Sequence, residues 1–111
     1  MMQIDVIHKA FEDKPRLVAT VFIPEELSGN IDQALEYAYR WTQNINGSWS
    51  NKSLVPRNSD WNNNIMVRAT LDRDDDGNAI GLRSTSVDDD FQVTTTKTYR
   101  VTSIGFKEME E

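Results

Sequence analysis

Seven carboxylates fall within the nineteen residues from Asp72 to Asp90: Asp72, Asp74, Asp75 and Asp76, then Asp88, Asp89 and Asp90. Asp72, Asp74 and Asp76 stand at alternate positions, and Gly77 follows. Carboxylates so spaced can converge on a hard cation such as Ca²⁺, and the glycine permits the sharp turn. A helix–loop–helix calcium site also needs a bidentate acid at its twelfth position, where Arg83 stands, and the flanks read as strands. Ca²⁺ is therefore a weak alternative, one that needs Asp88, Asp89 and Asp90 to fold back and complete the cage. Otherwise no cofactor is expected. The favoured local reading is a hairpin turn, since Asp-Gly and Gly-Asn pairs are turn signals by themselves. Two solvated acidic turns of this kind would form a negative surface, able to occupy a basic groove as phosphates do.

Between the clusters lies Arg83-Ser84-Thr85-Ser86. The hydroxyls beside an arginine could hold an anion; cross-strand pairing with Thr94, Thr95, Thr96, Thr98 or Thr102 is the favoured reading. A second candidate surface is the stretch bearing Trp49, Lys52, Arg57 and Trp61. Aromatics interleaved with cations stack on single-stranded nucleic acid. They also serve as protein anchors or simply fold a long loop onto the core. No nucleophile and base stand in a readable arrangement, and the single histidine, His8, sits on an expected strand. The chain reads as non-enzymatic, with no catalytic residue assigned.

These groups must be positioned by the surrounding elements. Residues 2–8 and 16–23 read as strands, the second rich in β-branched residues, with a turn at Glu12–Pro15; they predict a hairpin over 2–23. Leu17, Ala19, Val21 and Ile23 would share one face. Asn30 with Gln33 makes a capping pattern, and Ile31, Ala34, Leu35, Ala38, Thr42 and Ile45 recur at helical spacing, predicting a helix over 30–45. Residues 46–64, with six asparagines, form a long loop. Strands follow at 65–71, 80–87, 91–94 and 99–106, and 107–111 reads as a frayed tail. The expected fold is α+β: one domain over 1–111, with an antiparallel sheet of five to six strands and the helix packed on one face.

Composition limits the function further. The chain has 111 residues and no cysteine, so disulfides, thiolate metal sites and cysteine nucleophiles are absent. Apolar residues make up 38%, below the about 45–50% of ordinary domains. No apolar run is long enough to span a membrane and no leader is legible, so a cytoplasmic location is the default. Net charge is −6, but residues 1–39 and 69–111 carry −4 and −5 while residues 40–68 carry +3. Such a chain is drawn to basic surfaces and repelled by nucleic acid, so direct nucleic-acid binding is disfavoured.

Arg83-Ser84-x-Ser86-Val87-x-Asp89, then a short strand, Tyr99-x-Val101 and Gly105-Phe106, resembles a pattern in the YodL-like small proteins of phages and plasmids. The resemblance covers roughly the last thirty residues. In that pattern the serine pair leads directly into a strand; here Asp88-Asp89-Asp90 intervenes. The resemblance implies a mobile-element origin and carries no activity. Taken together, the expectation is a phage or plasmid accessory protein that binds a host or phage protein. Its concrete form is an acidic inhibitor of a host defence or nucleic-acid-handling protein. Homodimerisation is left open.

Overall fold

Every second side chain from Gln3 to His8 is buried, Ile4, Val6 and His8 among them, which is the alternation of a strand with one face on the core. This strand, β1 (Gln3–His8), is at the centre of a six-stranded sheet ordered β3-β2-β1-β6-β7-β8. Its partners are β2 (Arg16–Phe22), β3 (Ile65–Val67), β6 (Asp90–Val93), β7 (Lys97–Thr102) and β8 (Gly105–Met109), and each adjacent pair is antiparallel. A separate two-stranded hairpin joins β4 (Asp72–Arg73) to β5 (Ala79–Gly81). The structure is a computed structural model and describes residues 2–51, 58–93 and 97–109.

The helix α1 (Ile31–Arg40) starts where Asn30 accepts a hydrogen bond from the Gln33 amide at 3.2 Å. That cap satisfies one of the free amides of the first turn. Ala34, Leu35 and Ala38 are buried and join Ile4, Val6, Val21, Trp49, Phe91 and Val101 in one apolar cluster. Each fully buried aliphatic side chain there contributes about 1.5–3 kcal/mol relative to exposure. Thr42 bonds back to the Ala38 carbonyl at 2.7 Å as the helix ends. The helix is therefore shorter than the spacing through Ile45 predicts, and Ile45 is 60% exposed.

Several strand boundaries also differ from expectation. Val6 pairs with Ala19 but Ile7 pairs with Leu17, so Val18 is an extra residue and the alternation slips. Val18 is buried and Leu17 exposed, which breaks the expected Leu17–Ile23 face. The strand expected over 65–71 ends at Val67, though Ala69 and Leu71 still pack against the core. The strand expected over 80–87 stops at Gly81, and residues 82–87 form irregular chain. The single last strand expected over 99–106 is instead the β7–β8 hairpin, turning at Ser103–Ile104, and Lys107–Met109 belong to β8 rather than to a frayed tail.

Candidate functional site

The two aspartate clusters have opposite fates. In the first, β4 and β5 pair Asp72 with Gly81 and Arg73 with Ala79. Asp74 Oδ1 accepts the amides of Asp76 and Asn78 at 3.0 and 2.9 Å, and the Gly77 amide donates to the Asp74 carbonyl. Gly77 has φ +83°, the left-handed backbone that this turn requires. Asp72 faces Arg16 at 3.5 Å. Asp72, Asp74, Asp75 and Asp76 are all exposed. The alternate spacing thus serves the turn: one carboxylate caps it and another meets an arginine. Among the described residues no three His, Asp or Glu side chains gather as metal ligands.

In the second cluster, only Asp88 is exposed. It has φ +77°, which aspartate tolerates better than most residues. Asp89 is fully buried. It accepts the amides of Lys9, Ala10 and Ser86 at 2.7, 2.9 and 2.8 Å. Arg83 adds two parallel bonds at 2.7 and 2.9 Å. Burial by itself pushes this carboxyl up; Arg83 and the three amides outweigh it and hold the pKa at about 2. Asp90 is also buried, with Arg100 at 2.8 Å and Lys9 at 3.3 Å. The expectation that Asp88, Asp89 and Asp90 form a second solvated turn is corrected: two of the three are structural. The bonds to Asp89 come from Lys9 and Ala10 just beyond β1, from the Ser86 amide and from Arg83; the distant ones are not announced by the acidic triplet.

His8 lies against this network. It is buried, with Nε2 3.1 Å from Thr85 Oγ1 and 3.9 Å from Asp89 Oδ2, and its ring meets Trp49 edge-on. Burial lowers its pKa to about 4, against the opposing pull of Asp89. It is neutral at pH 7 and closed off from solvent. The serine–threonine segment is likewise structural but forms no strand ladder among the described residues; Thr94, Thr95 and Thr96 lie outside them. Thr85 holds His8, the Thr85 amide donates to the Thr42 carbonyl, and Ser84 Oγ accepts the Asn44 amide.

The tryptophan surface is divided. Trp49 is fully buried, donating Nε1–H to the Arg83 carbonyl at 2.9 Å. Trp61 is half-buried and bonds to Asn63. Lys52 and Arg57 lie outside the described residues. Trp41 stacks under the Arg40 guanidinium at 4.2 Å. What orders the described parts of the loop is a set of short polar side chains. Asp60, fully buried, gathers the amides of Ile45, Asn46 and Gly47 at 2.7 Å each and faces Arg40 at 3.3 Å. Burial raises the Asp60 carboxyl, and those three amides with Arg40 outweigh it, so its pKa lies below the usual carboxylate range. Asn58 donates to the carbonyls of Ser48 and Asn51. The asparagine enrichment was visible in sequence; the role of Asp60, the lone acid of a basic stretch, was not.

The hairpin base is pinned to this loop. Ser50 Oγ accepts the Leu82 amide at 2.7 Å, and Gly81, at φ +87°, leaves no room for a Cβ beside Ser48 Oγ. Searches against protein-family models, curated proteins and solved structures find no match to the chain.

Proposed function

We propose that this chain is a non-catalytic binding protein that meets a basic surface on a partner protein through the β4–β5 hairpin. One observation carries the reading: Asp72, Asp74, Asp75 and Asp76 stand exposed on a small sheet of their own, while Asp60, Asp89 and Asp90 are consumed inside the fold. Among the described residues Asp74, Asp75 and Asp76 have no cation within ion-pair distance. Such a turn, on a pinned base, can stand where phosphates would in a basic groove. Asp88 is the one member of the second cluster able to contribute.

A phage or plasmid origin, suggested by the YodL-like C-terminal pattern, makes a host defence or nucleic-acid-handling protein the fitting target, met in the host cytoplasm. No described helix is long and apolar enough to cross a membrane. The alternative of a single-stranded nucleic-acid surface loses support with Trp49 in the core. We also infer that α1 covers one face of the main sheet, a reading supported by its buried Ala34, Leu35 and Ala38 and by the Tyr39–Phe106 ring contact.

The test is capture from a bacterial lysate, followed by salt-titrated affinity of the captured protein for the wild-type chain and for Asp75→Lys/Asp76→Lys. The expected result is loss of most of the affinity in the variant, steep salt dependence, and competition by DNA. Equal affinity of both chains at all salt concentrations would rule out the acidic turn as the contact.

A further inference from the structure

We propose that the outer edge of β8, with the groove beside it, docks an extended segment of another protein carrying basic side chains at alternate positions. Among the described residues β8 has β7 on one side and no strand on the other. It offers five residues, against three for β3 at the opposite edge. A free edge presents unpaired amides and carbonyls that accept an added strand.

The register decides which side chains flank that edge. Phe106 pairs with Val101 and Glu108 with Tyr99, so Phe106 and Glu108 lie on the face that carries the core. Gly105, Lys107 and Met109 lie on the other face. On the core face a groove of about 270 Å³ runs between α1 and the β7–β8 hairpin, lined by Glu36 and Tyr39 of α1 and by Val101, Thr102, Ser103, Gly105 and Phe106 of the hairpin. Val101 is buried, Tyr39 and Phe106 are half-buried, and Glu36 is exposed at the mouth. An apolar floor under an acidic rim matches a long aliphatic stem ending in a cation, which is the shape of lysine or arginine. Glu108 adds a second acid on the same face, 3.5 Å from the Tyr99 hydroxyl. A strand added beside β8 would set every second residue toward this groove, and a chain of net charge −6 attracts basic segments from a distance.

A second copy fits less well. The two-fold antiparallel register that overlaps all of Gly105–Met109 sets Lys107 against its own copy and Glu108 against Phe106. The edge shares no residue with the Asp72–Asp76 turn, so this proposal stands independently of the hairpin contact.

The test uses the full chain, isotopically labelled, and a synthetic peptide of alternating lysine and valine at low salt. Controls are the glutamate–valine peptide and a lysine–valine peptide interrupted by prolines. The expected result is saturable binding of the first peptide alone, with slowed hydrogen exchange of β8 amides. Glu36→Lys and Glu108→Lys should each weaken it about five- to tenfold without lowering the melting temperature, because a favourable surface pair becomes a repulsive one. Glu26→Lys, on another element, should change it by less than about twofold. Equal binding of the glutamate–valine peptide, unaltered β8 exchange, indifference to both reversals, or no saturation at millimolar peptide would each overturn the proposal. Protection of β8 amides that grows with protein concentration and without peptide would overturn it in favour of a second copy.

Discussion

Arg83 and Asp89 face each other end on, Nη1 to Oδ2 at 2.7 Å and Nη2 to Oδ1 at 2.9 Å, with Asp89 fully buried. The pair ties three separate segments. Asp89 takes the amides of Lys9 and Ala10 beyond the end of β1, and the Arg83 carbonyl takes the indole of Trp49 from the loop.

Removing one partner of this pair should therefore cost far more than a surface ion pair. Asp89→Asn leaves the half-buried Arg83 cation with only the more distant Glu12, at 3.9 Å, as counter-charge and weakens three amide bonds. The expected loss is about 3–5 kcal/mol, a large share of a domain's stability. Urea unfolding checks it. Asp75→Asn, on the exposed turn, should stay within about 0.5 kcal/mol of wild type.

Acid should destabilise the chain in two steps of the same sign. The His8 pKa lies at about 4 in the fold, against about 6.5 unfolded. The unfolded chain thus binds the extra proton first, and stability falls from about pH 6.5 down to about pH 4. That step is worth roughly 3 kcal/mol for a group this buried. Asp89, at about 2 in the fold, contributes stability that is full above its unfolded value near 4 and is lost as pH falls toward 2. Melting temperatures across pH 2–7 should show both steps. His8→Gln should flatten the upper step and leave the lower one.

Gly81 and Gly77 both have positive φ, yet their substitutions should differ. A Cβ at Gly77 meets open space, while one at Gly81 collides with Ser48. Gly77→Ala should cost about 1 kcal/mol from backbone strain, and Gly81→Ala about 2–3 kcal/mol with loosening of the hairpin base. Thermal unfolding ranks the two variants. Equal costs would mean that the Ser48 contact yields freely.

Trp49 and Trp61 should separate in the same way. Trp49→Phe loses the bond to the Arg83 carbonyl and leaves a gap in the core, an expected cost of about 1–3 kcal/mol. Trp61→Phe should lie within about 0.5 kcal/mol of wild type. Acrylamide should quench Trp61 readily and leave Trp49 shielded.

The elements driven by local pattern were legible in the sequence. The period-two run Gln3–His8, the β-branched run in β2, the Asn30 cap with its apolar stripe, and the Asp74–Gly77 turn gave an α+β fold with an antiparallel sheet. These features depend on near neighbours, whose spacing is written in the chain. Where the reading of β2 and of residues 82–87 erred, a distant residue had intervened. Val18 slips the face of β2 because of the strand across from it. Residues 82–87 leave the sheet because Thr42, Asn44 and His8 take up their polar groups.

By itself, then, the sequence determined the chain's net negative charge, the lack of thiol chemistry, and the turn that carries Asp74, Asp75 and Asp76. Which aspartates belong to the surface was decided only by tertiary structure. Asp89 and Asp75 are alike in sequence, each the middle of three consecutive aspartates. Asp89 is buried because the amides of Lys9, Ala10 and Ser86 and a guanidinium converge on it, and desolvating a carboxylate is tolerable only where such donors replace the lost water.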